Sequence, residues 1–237
     1  MTSEINIANK GMHLIDSCWS YSNDETECFK ILPDTYTDII IDLNLNQAFV
    51  SGVMTSFQNR LMVGPSNLLG MRFRSEYFAC ICKVPSEELT NQRVNLSDLL
   101  PTSELTPLFD AKTDSEKTEY LNNLINCRYQ EYYDHRDKMI LAIAGHIRAL
   151  KGKVKVGNLA QANHISTRQL ERRFRKQTGL TVKQFAGIVR FTNAKNVISG
   201  DSKTSLLNIA FETGFYDHAH MNYEFNRIAG ESPGVFR

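Results

Sequence analysis

Five cationic side chains, Arg168, Arg172, Arg173, Arg175 and Lys176, crowd into one short stretch with Glu171 as the single acid among them. A guanidinium presents a planar fork of donors that pairs bidentately with phosphate oxygens or with the O6/N7 edge of guanine. The chemistry open to this cluster is therefore recognition of a polyanion, and for that the cations must be held on a rigid support. Residues 159–179 supply the signals for one. Leu159, Ala160 and Ala162 offer a small apolar surface on which another helix can lie close. A turn follows at Asn163-His164-Ile165. Ser166 is then an N-cap whose partner, Gln169, stands three residues on, a capping box that opens a second helix, and Gly179 stops that helix. Within it, Leu170 and Phe174 stand four apart on one face, which docks, while the basic residues occupy the others. Two short helices crossing at a tight turn, the second strongly basic, form the pattern of a helix-turn-helix DNA reader.

The pattern returns about fifty residues later. Leu159-Ala160 answers to Ile209-Ala210, His164-Ile165 to Gly214-Phe215, Phe174 to Phe225, Gly179 to Gly230, Thr181 to Ser232 and Phe185 to Phe236. The offset grows by one residue at the second turn. Gly214 and His164 take the turn position where a positive φ is expected, glycine because it has no Cβ and histidine because it is among the few side chains enriched there. Between the copies, the Thr181-x-x-Gln184 box opens a long helix through Phe185, Ile188, Val189, Phe191, Val197 and Ile198 that would hold the two readers at a fixed separation. Ser205 and Asp217 are the expected N-caps of the two helices of the second copy.

The residues from 159 to 237 resemble the AraC/XylS-type DNA-binding domain of bacterial transcription regulators. The marks are Ala210, Gly214-Phe215, Phe225, Gly230, Ser232-Pro233 and the closing Phe236-Arg237. The resemblance implies a DNA-contacting surface at Thr167, Arg168, Glu171, Arg172 and Arg175 in the first recognition helix and at His218, Ala219, His220, Asn222 and Tyr223 in the second. Arg172 falls where the family most often has Arg; Tyr223 replaces a usual Arg, and Asn226 a usual Lys. Glu171 would either accept from a cytosine amino group or position Arg168 or Arg175 through a helical i,i±3/4 pair. Arg190 and Lys195 on the connecting helix are open to two readings, phosphate contacts or solvated charges. The partners implied are double-stranded DNA, read in the major groove at two successive turns, RNA polymerase for an activator, a small-molecule effector, and a second copy of the chain as a homodimer.

The rest of the chain has a different character. Residues 1–150 carry 13 Lys+Arg against 20 Asp+Glu, net −7, and residues 151–237 carry 14 against 6, net +8. Such asymmetry joins a nucleic-acid-binding end to an end with another task. The expected division is 1–135, a β-rich sensor or dimerisation domain with trailing helices, and 136–237, the tandem reader. The fold class is α+β, the N-terminal part being cupin-like or a sandwich. Strand patterns cover 38–44, 47–53, 60–63, 68–73 and 77–84, dense in β-branched and aromatic residues with Gly, Pro and Asn between them. The segments PDTYTDII and LLGMRFRSEYF are similar to an N-terminal module that accompanies some AraC-type domains. Pro33-Asp34, Asp38, Gly70, Arg72 and Phe73 match it, and Arg74-Ser75-Glu76 stands in place of a Pro-Gly turn. Regulators of this type often carry a ligand-sensing β-domain here. Alternate residues Asp38, Asp42, Arg72 and Arg74 either line a ligand cavity or form a solvated face, the commoner outcome on half-exposed antiparallel strands.

After Leu96 the pattern turns helical. The stretch 99–109 is broken by Pro101 and Pro107; Asp114 or Ser115 caps a helix through Leu121, Leu124, Ile125 and Tyr129; a further helix from about Arg136 carries Met139, Ile140, Ile143, Ile147 and Leu150. The five cysteines, Cys18, Cys28, Cys80, Cys82 and Cys127, are odd in number and read as free thiols, with Cys80 and Cys82 on one side of a strand. There is no nucleophile elbow, Gly-rich phosphate loop or paired catalytic motif. His164, His218 and His220 belong to the readers, while His13, His135 and His146 are scattered. The chain reads as a non-enzyme with no catalytic residue, cofactor or metal site, without a membrane span, and cytoplasmic.

Overall fold

The computed structural model describes residues 2–5, 14–132, 137–200 and 203–237. His13, His135 and the boundary drawn between 135 and 136 lie outside the described residues. The N-terminal half begins with β1 (Thr2–Ile5), β2 (Ile15–Asn23), β3 (Glu27–Ile31), β4 (Tyr36–Asp42), β5 (Gln47–Ser51), β6 (Gln58–Met62) and β7 (Ser66–Arg74). After α1 (Ser75–Cys82) and a 3-10 turn (Ser86–Leu89) comes the short β8 (Arg93–Asn95), then α2 (Thr102–Asp110) and α3 (Asp114–Glu131). The strands form an antiparallel six-stranded sheet in the order β1-β2-β7-β4-β5-β8, faced by a separate β3–β6 pair.

Period-two patterning gives the large sheet two faces. On β4 the residues Thr37, Ile39 and Ile41 are buried, and with Leu69, Met71 and Phe73 of β7 and Val50 of β5 they pack on α1, α2 and α3. Each large apolar side chain removed from water there contributes roughly 1.5–3 kcal/mol. The alternate set, Tyr36, Asp38 and Ile40, faces the β3–β6 pair across a cavity.

Three expectations need correction here. Residues 77–84 are not a strand: Phe78, Ile81 and Cys82, at i, i+3 and i+4, form the buried face of α1, which ends with Lys83 at φ 62. Over so short an apolar run, periodicity does not separate strand from helix. Cys80 and Cys82 are consequently about 200° apart around a helix, and burial pushes the Cys82 thiol up to about 12. Pro107 does not break α2. Pro101 is its N-cap and the helix runs on through Pro107, losing one amide donor while Leu105 and Leu108 stay fully buried. The cap of α3 is Thr113, one residue earlier than Asp114, in a complete capping box with Glu116.

The second core is all helical. It is built by α4 (Lys138–Ala149), α5 (Val156–Ala162), α6 (Thr167–Thr178), α7 (Val182–Gly200), α8 (Leu206–Thr213), α9 (His218–Ala229) and a closing 3-10 turn (Pro233–Phe236). Ile140, Ile143, Ala144 and Ile147 place α4 in this core rather than in the sheet domain. Phe174 packs edge-on against Phe185 at 5.2 Å, and Phe191, Phe225 and Phe236 form a second aromatic group around α7.

Candidate nucleic-acid interface and the cavity behind it

The two copies are built alike. In the first, Ser166 and Gln169 complete the capping box of α6, and His164 holds the turn at φ 54. In the second, Ser205 caps α8, Gly214 holds the turn at φ 89 and Asp217 caps α9 through the His220 amide. The additional residue of the second turn is Tyr216, 83% exposed beside the start of α9. Thr181 and Gln184 close their box at the head of α7. The 19 residues of α7 span about 28 Å at 1.5 Å each and join the two copies.

Thr167, Arg168 and Arg172 are exposed at the N-terminal part of α6, and neither arginine has an ion pair among the described residues. His218, Ala219 and Tyr223 are exposed on α9, with Asn222 half-buried. Three expected site residues are engaged elsewhere. Glu171 turns inward, where its carboxylate accepts from the Val182 amide at 3.0 Å and so caps α7, a place where a carboxylate is stabilised, and among the described residues it pairs with neither Arg168 nor Arg175. Arg175 lies 3.6 Å from Glu87 of the Ser86–Leu89 turn. His220 accepts the Tyr216 amide at Nδ1 and sets its ring against Phe215. Arg190 is half-buried rather than a solvated charge. Its guanidinium donates to the Gly214 carbonyl at 3.1 Å and lies over the Phe215 ring, tying the long helix to the second turn, and burial lowers its pKa.

The sheet domain grips both recognition helices by their C-terminal ends. Gly179 ends α6 at φ 80 and Gly230 ends α9 at φ 66. A Cβ on Gly179 would stand 2.6 Å from Val53 and 2.9 Å from the Thr90 hydroxyl, which donates to the Gly179 carbonyl; a Cβ on Gly230 would stand 2.4 Å from the Phe57 ring. The Phe57 amide donates to the Ile228 carbonyl, and Lys30 pairs with Glu231. From the other side Arg148 of α4 reaches into the sheet domain. It pairs with the buried Glu76 at 2.6 Å, donates to both oxygens of Thr35 and stacks near Tyr36.

Residues 52–57, which hold both glycine ends, also wall the cavity. That space, about 590 Å³, is lined on the large sheet by Trp19, Tyr36, Asp38, Ile40, Leu68 and Arg72, on the β3–β6 pair by Phe29 and Arg60, and along its edge by Asp34, Gly52 and Met54. Arg72 forms a bidentate pair with Asp38 at 2.9 Å and a second pair with Asp34 at 3.2 Å. Burial pushes the Asp34 carboxyl up to about 6 against the pull of Arg72. Of the four charged residues expected on one strand face, Asp38 and Arg72 line the cavity. Asp42 instead caps the turn at Asn44 and Leu45, and Arg74 is not part of the lining. Trp19 and Tyr21 escape the sequence reading because β2 shows no strict alternation of polar and apolar residues.

Residues 159–237 match the family model described as a helix-turn-helix domain, and residues 12–95 match a domain of unknown function (DUF6597). The chain carries an AraC-type DNA-binding domain. Over 101 residues it is 30% identical to the HTH-type transcriptional activator RhaR of Salmonella dublin, a match taking in 43% of this chain and 34% of that protein. RhaR of Escherichia coli strain K12 matches with the same identity and shares. The chain thus spans about a third (34%) of the length of the curated relatives it matches. Among solved structures, ToxT from Vibrio cholerae aligns over 92% of this chain and 96% of its own, with a TM-score of 0.47 and 11% identity. Among the described residues, no helix is long and apolar enough to cross a membrane.

Proposed function

We propose that the chain is a sequence-specific, DNA-binding transcription regulator whose affinity for DNA responds to a small molecule held in the cavity of its sheet domain. The DNA-binding part rests on the paired readers, with Thr167, Arg168 and Arg172 in the first and His218, Ala219, Asn222 and Tyr223 in the second. A recognition helix enters the major groove by its N-terminal residues, and in both copies it is the other end that the sheet domain holds.

One observation supports the effector reading above all. Gly52 and Met54 line the cavity, while Val53 and Phe57 of the same six residues seat the ends of α6 and α9. A ligand that shifts this segment changes the placement of both readers, and it can do so only by as much as its affinity differs between the two placements. The test is a selection from randomised duplex DNA with the full chain. The expected product is a site with two elements about ten base pairs apart; recovery of no preferred sequence overturns the reading. An effector contribution predicts that Phe57→Ala alters the affinity of the full chain for the selected site; an unchanged affinity counts against it.

A further inference from the structure

The charges of the cavity do not balance. Four cations line it, Lys30, Arg60, Arg72 and Arg93, against two acids, Asp34 and Asp38. Both acids are taken by Arg72. Lys30 is taken by Glu231. Arg60, half-buried on β6, makes a 3.4 Å hydrogen bond to the Gln58 side chain, and Arg93 lies 4.1 Å over the Phe49 ring. Neither arginine has a carboxylate within ion-pair distance among the described residues. They nevertheless feel each other, since burial and then the charge of Arg60 lower the pKa of Arg93, with the charge of Asp42 opposing them. Arg60 is half-buried and Arg93 is exposed on the short edge strand, so the two guanidiniums stand at the rim of an open space where an anion would relieve their repulsion.

The strand register shows what lies next to this pair. One row across the sheet runs Ser17, Arg72, Asp38, Ser51, Arg93, so that the satisfied Arg72–Asp38 pair and Arg93 stand on the same face. The adjacent row runs Trp19, Gly70, Ile40, Phe49. Gly70 is required there: any Cβ would come within 2.0 Å of the Trp19 ring, so the indole lies flat over the strand as an apolar floor. With Leu68 beyond it and Phe29 opposite, the cavity offers an apolar bed with two unneutralised guanidiniums at one side.

We propose that this cavity takes a small organic monocarboxylate with an apolar body, the carboxylate held by Arg60 and Arg93 and the body laid over Trp19, Ile40 and Leu68. Carboxylate suits the planar donor fork of each arginine, and the mixture of a mostly apolar wall with a few convergent polar groups is usual for small-molecule sites. A cationic ligand would compete with Arg72 for acids already paired. The proposal rests on the effector reading above and adds the ligand class to it.

Trp19 is the single tryptophan of the chain, so its fluorescence reports on the cavity floor of the full-length protein. The titration compares 4-phenylbutyrate with 4-phenylbutanamide and 4-phenylbutylamine. The expected result is a saturable change with the carboxylate and binding at least tenfold weaker for the amide and the amine. In the double variant Arg60→Gln/Arg93→Gln that preference should vanish, and Arg60→Lys/Arg93→Lys should restore part of it. Equal binding of the amide, tighter binding of the amine, a preference that survives the double Gln variant, or no saturable change with any of the three overturns the proposal. Binding of a duplex is measured on the same samples. If the duplex binds and the carboxylate does not, the ligand class fails alone; if the duplex fails to bind, the DNA-binding reading fails with it.

Discussion

The two helix-turn-helix copies have nearly the same backbone and very different surfaces. Both recognition helices have 12 residues, an N-cap accepting from the third residue and a left-handed glycine at the end. Yet α6 carries Arg168, Arg172, Arg173, Arg175 and Lys176, whereas α9 carries Arg227 alone, and that arginine pairs with Glu224. The first copy is also bound more heavily to its surroundings: Arg173 pairs with Asp137 at 2.7 Å, Arg175 faces Glu87 and Gln177 donates to the Glu76 carbonyl. Duplication has thus kept what the fold needs, the caps and the buried stripe, while the solvent-facing positions have diverged. Under the proposed function, the first copy would pull DNA in and read guanine. The second can add one hydrogen bond and an apolar contact through Tyr223.

The largest expected effect would break the idea of equal scaffolds. Phe174→Ala and Phe225→Ala each remove a fully buried ring and should each cost roughly 3–5 kcal/mol of stability. Denaturant unfolding that shows a large loss for one and little for the other would mean that the two copies are not supported alike.

Next in size is the difference in reading. Arg172→Ala should cost about 1–3 kcal/mol of specific binding with an unchanged melting temperature, and Tyr223→Ala should cost less. Substituting each half-site in turn should reveal one strictly required half and one tolerant half. If the half opposite Tyr223 proves the more stringent, the assignment of roles is reversed.

A smaller effect should separate the two anchors. Phe57→Ala removes the ring that covers Gly230 while leaving Val53 and Thr90 on Gly179. Amide exchange should quicken at the C-terminal end of α9 and stay unchanged at that of α6.

The smallest effect concerns pH. The Asp34 carboxyl lies at about 6, above the ordinary carboxylate value near 4, because burial favours its protonated form against the pull of Arg72, with Asp38 opposing ionisation and Arg148 favouring it. The folded chain then holds an extra proton between about pH 4 and 6, so this group's contribution to stability falls as pH rises through that window and is level above it. The side chain is 29% exposed, which keeps the effect modest. Melting temperatures of the native chain and of Asp34→Asn should differ in slope across this window.

Much of the DNA-binding half was legible in the sequence because its signals are local. A cap and its partner are three residues apart, a docking stripe repeats every three or four, and a left-handed turn asks for Gly, His or Asn. Ser166, Asp217, His164 and Gly214 all behave as those rules require. Even there, the inward turn of Glu171 escaped, since the Val182 amide that it caps is eleven residues away in sequence and adjacent only after folding.

The sheet half was legible mainly as β-rich. Strand periodicity marked β4 and β7, but it cannot say which strands become neighbours, and it read α1 as a strand. Only tertiary structure decided that β8 would bring Arg93 into the row of Arg72 and Asp38, that Trp19 would lie over Gly70, and that residues 52–57 would wall a cavity and seat two recognition helices at once. These contacts join residues tens to more than a hundred positions apart. Their pairing depends on strand order and domain packing, which no local pattern of residue types encodes.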